Sequence, residues 1–147
     1  MTISKRIVFT LSILFSFTFI VPAHVFAAPY NIADATFTQV ALDVTDQEDC
    51  PTAMIFNNDG GKLYVIGACS NEINEYALAT PYDISTATFT QMAFDTLSDI
   101  DTPSDMLFND DGTVLYIMDR GDSLFDQKDI TAYALATPYD ISTATLT

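Results

Sequence analysis

The sequence predicts an all-β protein built from stacked four-stranded units, and three observations lead there. Thirteen residues, Tyr76 to Thr88, YALATPYDISTAT, recur letter for letter from Tyr133 to Thr145, and a looser copy, APYNIADAT, begins at Ala28. Between turn clusters the apolar residues fall in short strand-length runs without helical periodicity, so no helix is expected beyond the first 27 residues. The turns themselves recur, with Asn57-Asn58-Asp59-Gly60-Gly61 matched by Asn109-Asp110-Asp111-Gly112. Repeats on this scale mark architectures whose units bury their apolar faces only by stacking on copies of themselves.

Residues 1–27 have the layout of a secretory signal peptide, expected as a helix. Lys5 and Arg6 precede an apolar run from Ile7 to Val21, and Val25-Phe26-Ala27 offers small residues at a cleavage site before Ala28. The run is short for a bilayer span of about 20 residues. The expected product is residues 28–147, secreted or periplasmic, with no membrane association after cleavage. Cleavage removes two of the five basic residues and the single histidine, His24, leaving three basic against twenty acidic side chains and moving the formal net charge from -15 to -17. So acidic a surface repels nucleic-acid phosphates, and nucleic-acid partners are excluded.

Proline-to-proline alignment divides the product into units 29–80 and 81–137, with the start of a third at 138–147. Asp49–Gly67 aligns with Asp101–Asp119 at an offset of 52 residues and Ile73–Leu78 with Ile130–Leu135 at 57, placing a five-residue insertion in the loop Arg120 to Asp129. Within a unit, Ala53–Phe56 and Leu63–Ile66 form a hairpin across the Asn-Asp-Gly turn, where Gly and Asn supply positive φ. Ile73–Leu78 follows, then a crossover loop containing Pro81-Tyr82-Asp83-Ile84-Ser85, then Thr88–Phe94. Thr36–Val44 is expected as the fourth strand of a preceding unit. The first two strands are apolar on both faces, as in a β-propeller blade sandwiched between neighbours.

PTAMIFNNDGGKLYVIG and PSDMLFNDDGTVLYIMD resemble the first hairpin of YVTN-type bacterial β-propeller repeats, which run Pro, a small apolar strand, Asp-Gly, then Leu-Tyr-Val. The resemblance implies a partial β-propeller of four-stranded antiparallel blades. It implies no single function, because such blades serve lactonase-like enzymes, surface-layer proteins and binding modules. Two blades do not close a ring, so the remainder is expected from a longer chain, of which this is a fragment, or from a homo-oligomer.

If Phe56 faces Leu63, Met54 faces Val65 and Thr52 faces Gly67, then Cys50 faces Cys69, and the two cysteines of an exported chain are expected to form a cross-strand disulfide. Asp119, Asp122, Asp126 and Asp129 of the inserted loop are candidate Ca²⁺ ligands, since calcium accepts flexible carboxylate coordination. The Asn-Asp-Gly turns lack the EF-hand spacing, because Ile55 falls where the first ligand belongs. Asp83 and Asp140 are expected to cap their own loops, and Tyr82 and Tyr139 to wedge between blades or stack on a sugar. Without histidine after residue 27, Ser-His-Asp and Cys-His chemistry and a His-ligated metal are excluded. The expected function is a non-catalytic binding or scaffold surface for a protein or carbohydrate ligand. The alternatives are a carboxylate-dependent glycosidase or lactonase-type hydrolase, and a lectin-like module assembled from two-blade chains. The acidic loop Thr45 to Asp49 and the insertion are the places where specific chemistry is expected.

Overall fold

Turn chemistry sets the strand limits. At each hairpin tip an asparagine side chain accepts from the backbone N–H across the turn, Asn57 Oδ1 from Lys62 at 2.9 Å and Asn109 Oδ1 from Val114 at 2.9 Å. The aspartate two residues on accepts from Gly61 or from Thr113, closing the same short loop. The computed structural model describes residues 35–95, 100–121 and 128–147. The expected signal peptide lies outside the described residues, and Phe37–Thr147 hang together as one unit.

That unit is all-β. β1 (Pro51–Phe56), β2 (Lys62–Gly67), β3 (Glu72–Leu78) and β4 (Ala87–Asp95) make one sheet in sequence order. β5 (Pro103–Phe108), β6 (Val114–Asp119), β7 (Ile130–Leu135) and β8 (Ala144–Leu146) make a second with the same order, and every neighbouring pair is antiparallel. Chain excursions are short and local, as expected for a meander whose strands pair with their sequence neighbours.

Three expectations are corrected. The hairpin register holds from Phe56 opposite Leu63 to Ala53 opposite Ile66, then shifts, so that Pro51 and not Thr52 faces Gly67. Thr52 is the extra residue of a β-bulge, and Ser104 takes the same place between Pro103 and Asp105. The absence of helix is broken by two three-residue 3-10 turns, Ile84–Thr86 and Ile141–Thr143, because Asp83 and Asp140 accept from the N–H and the hydroxyl of Ser85 and Ser142 and wind the loop. Finally, residues 36–44 carry no strand ladder. Their sequence, TFTQVALD from Thr36, nearly repeats TFTQMAFD from Thr88, which is β4. The strand pattern is present, but no neighbouring edge pairs with it, and Phe37 is 88% exposed.

The two sheets pack face to face. Tyr64, Ile66 and Ile73 of the first sheet join Met106, Phe108, Leu115, Ile117 and Tyr133 of the second in one buried cluster. Two hydroxyls cross the junction: Tyr64 donates to the Tyr139 carbonyl, and Thr52, turned out of line by its bulge, donates to the Pro103 carbonyl at 2.8 Å. Burial raises the Tyr64 phenol well above its ordinary range, helped by the negative charge of Glu75, so it stays a donor. The opposite face of the first sheet buries Leu63, Val65, Tyr76 and Leu78 beneath Leu42, Val44 and Ile84.

Ile117 is fully buried at the sheet junction. Ile117→Ala is expected to cost about 2–4 kcal/mol and Ile117→Val about 1 kcal/mol in denaturant unfolding.

Candidate functional site

The crossover loops carry the most repeated chemistry, and it is turned inward. Tyr82 and Tyr139 adopt left-handed backbone, with φ of 61° and 58°. In this conformation each ring lies over the hairpin-tip glycine of its own sheet, Gly60 or Gly112, where a Cβ would collide with it. Each hydroxyl donates to the same tip, to the Asn58 carbonyl at 2.8 Å and the Asp110 carbonyl at 3.2 Å. The rings also meet Phe56 and Phe108 edge to face. These tyrosines clamp a loop to a hairpin within one sheet. The expected capping by Asp83 and Asp140 is the anchor of that clamp.

The corner where β1 meets the end of β2 holds the cysteines, and Cys50 and Cys69 are bonded with their Cα atoms 5.3 Å apart. Beside them Glu48 is buried, accepting from Cys50 N–H at 2.8 Å and from the Ser70 hydroxyl. Its carboxylate lies within 4.8 Å of both sulfurs, but these are bonded to each other and are not thiolate ligands.

The same corner of the second sheet is built from other residues. At an offset of 52, Glu48 becomes Ile100, Gly67 becomes Asp119, Cys50 becomes Thr102 and Cys69 becomes Gly121. Asp119 is buried and accepts from the N–H groups of Asp101 (2.9 Å), Thr102 (3.3 Å) and Gly121 (2.8 Å), and from the Thr102 hydroxyl (3.0 Å). Cys50 N–H and Thr102 N–H are equivalent, but the first is capped by Glu48 from just before it in the chain and the second by Asp119 from the end of the paired strand β6. A side chain at Gly67 would run into the Glu48 carboxylate, so the glycine is the space that Glu48 fills. A disulfide and an aspartate hub thus close equivalent corners. The acidic loop Thr45 to Asp49 is singled out by the sequence, but the burial of Glu48 and this exchange are not, although aligning the units displays the residues exchanged.

Of the four candidate calcium ligands, Asp122 and Asp126 lie outside the described residues. Asp129 is exposed, and its carbonyl accepts from Asp119 N–H at 2.9 Å. The Asp119 carboxylate is occupied by four donors, so a calcium site in this loop would rest on Asp122, Asp126 and Asp129. Glu75, the third buried carboxylate among the described residues, pairs with Lys62 Nζ at 3.0 Å and accepts from Thr90. Each buried carboxylate is therefore held by its own local donors. In the acidic loop Thr45 to Asp49, Glu48 is consumed in this way and Gln47 accepts from the Tyr76 hydroxyl.

Beyond these carboxylates, each sheet presents an outer face with exposed apolar side chains. On the outer face of the second sheet, Tyr116, Met118 and Ile130 stand exposed beside Leu107, around a cleft of about 220 Å³. On the outer face of the first, Met54 stands exposed at a cleft of about 340 Å³ lined by Leu42, Val44, Leu63 and Val65. No protein-family model matches the chain, and no curated protein matches it.

Two outcomes test the corners. Reducing the disulfide, which spans 19 residues, is expected to lower stability by about 3 kcal/mol, read as a shift in thermal midpoint with and without reductant; intact mass should show no free thiol beforehand. Burial pushes the Asp119 carboxyl up, but hydrogen bonds from Gly121, Asp101 and Thr102 outweigh it and hold it below the ordinary carboxylate range. A depressed folded value stabilises above the unfolded value of about 3.9 and is lost as pH falls through the folded one. Denaturation midpoints should therefore fall on acidification below about pH 4, and Asp119→Asn should flatten that fall while costing about 1–3 kcal/mol at neutral pH.

Proposed function

We propose that this chain is an exported, non-catalytic repeat protein of the β-propeller kind, a partial propeller whose stacked sheets present a binding or scaffold surface. One observation carries the reading. Among the described residues, the buried carboxylates Glu48, Glu75 and Asp119 and the loop tyrosines Tyr82 and Tyr139 are each used in supporting their own sheet, whereas each sheet turns an outer face with exposed apolar side chains to the surroundings. Chemistry needs groups free to meet a substrate. Association needs apolar area, and large exposed apolar patches mark interaction sites.

The repeat motifs that resemble YVTN-type blades, the two sheets of identical strand order and their face-to-face packing support the propeller reading. The disulfide supports an oxidising compartment, in keeping with the signal-peptide layout of residues 1–27. Intact mass of the exported product should place its N-terminus at Ala28. Incubated with a panel of aryl glycosides, lactones and carboxyl esters, it should give no turnover above buffer. Turnover that Glu75→Gln or Glu48→Gln abolishes would overturn the non-catalytic assignment.

A further inference from the structure

The junction between the two sheets is a template against which both outer faces are legible. In the junction, Tyr64, Ile66 and Ile73 are fully buried; their repeat equivalents Tyr116, Met118 and Ile130 on the second sheet are 38%, 44% and 62% exposed. Met106 on the receiving side is 4% exposed, and its equivalent Met54 on the first sheet is 62% exposed. One sheet therefore displays the inserting half of this junction without its receiver, and the other displays the receiving half without its insert.

Polar groups follow the same pattern. Tyr64 donates to the Tyr139 carbonyl across the junction, so Tyr116 is placed to donate to a Tyr82 carbonyl. Thr52 donates to the Pro103 carbonyl, and its equivalent Ser104 is placed to donate to that of a Pro51. Residues 36–43 complete the set. Their counterpart β4 lies along β3 and sends Phe94 into the junction, edge to face on Tyr133 at 5.1 Å. Leu42, the equivalent of Phe94, already packs on the receiving face of the first sheet. The segment thus sits as the last strand of a sheet that would lie there, with Phe37 exposed where its equivalent Phe89 meets Tyr76 edge to face.

We propose that copies of this chain associate head to tail, the outer face of the second sheet in one copy docking on the outer face of the first sheet in the next. The operator is the one that already relates the two sheets within a chain. In this contact Tyr116 and Met118 enter the cleft at Met54, as Tyr64 and Ile66 enter the junction beside Met106. The interface is heterologous, since the inserting and receiving surfaces are different patches of the same molecule. This inference rests on the reading of the sheets as stacking units of a scaffold and names the partner as a second copy.

The test is light scattering on the full exported chain with two variants at exposed positions, Met118→Asp on the inserting face and Met54→Asp on the receiving face. Wild type should have a mass that is a multiple of the monomer, and each variant alone should fall to the monomer mass with unchanged far-ultraviolet circular dichroism. An equimolar mixture of the two variants should recover a species of two chains, because one retains the receiving face and the other the inserting face. Ile130→Asp serves as a second inserting-face variant should Met118→Asp lose its strand signal. A monomeric wild type, variants that keep the wild-type mass, or a mixture that stays monomeric would each overturn the inference. A folded, catalytically silent monomer would overturn it alone and leave the scaffold reading standing, whereas turnover in the substrate panel would remove that reading and leave the interface intact.

Discussion

Packing of one small sheet on another is the interaction on which the rest depends. A single four-stranded meander of this size has two faces to cover and too little apolar area to be stable with both in water. The cluster around Tyr64, Ile66, Ile117 and Tyr133 removes one face of each sheet at once. Other features set its geometry. The bulge at Thr52 turns a hydroxyl toward the neighbouring sheet, and the Tyr64 hydroxyl reaches the crossover loop of the next unit. Left-handed tyrosines fix that loop against the hairpin tip, so the carbonyl that Tyr64 needs is held in place.

Much of this was legible in the sequence because the repeat is a ruler. The offsets of 52 and 57 residues fix the unit boundaries and the hairpin phase, and the hairpin register then brings the two cysteines together. Alternation and turn composition do not reveal a bulge, since one extra residue beside a proline leaves the pattern of apolar letters intact; Thr52 was therefore placed one position out of register. The 3-10 turns escaped for a related reason, as three residues are too few to show periodicity. Residues 36–44 have every letter of a strand, yet a strand is a property of a pair of chains, and a pattern cannot say whether its partner is there.

The site was less legible than the fold. Counting acids in loops led to Asp119, Asp122, Asp126 and Asp129, but a carboxylate's availability depends on which N–H groups surround it. That was visible for Asp119 only once its donors from residues 101, 102 and 121 were located. Glu48 stands among other acids in the loop Thr45 to Asp49, and the letters do not say that its carboxylate alone turns inward. The chain therefore divides its polar and apolar groups in an unusual way: acids that look available are bound into backbone corners, and apolar side chains that look like core stand in water. The strongly negative net charge offsets that exposure, since it keeps molecules apart unless apolar faces meet squarely.

The exchange of carboxylates between equivalent corners also bears on how the two units persist side by side in one gene. Near-identical repeats are prone to recombine, and the thirteen shared residues at Tyr76 and Tyr133 offer an obvious crossover point. The corners oppose such homogenisation. A tract that copied the aspartate of position 119 into position 67 while leaving Glu48 would force two carboxylates into a space built for one, and the reverse tract would leave Thr102 N–H uncapped beside Ile100. Only tracts that carry both positions together keep the corner capped and free of a clash. Glu48 with Gly67, and Ile100 with Asp119, are thus two matched solutions to one corner, and a member of one pair does not fit with a member of the other.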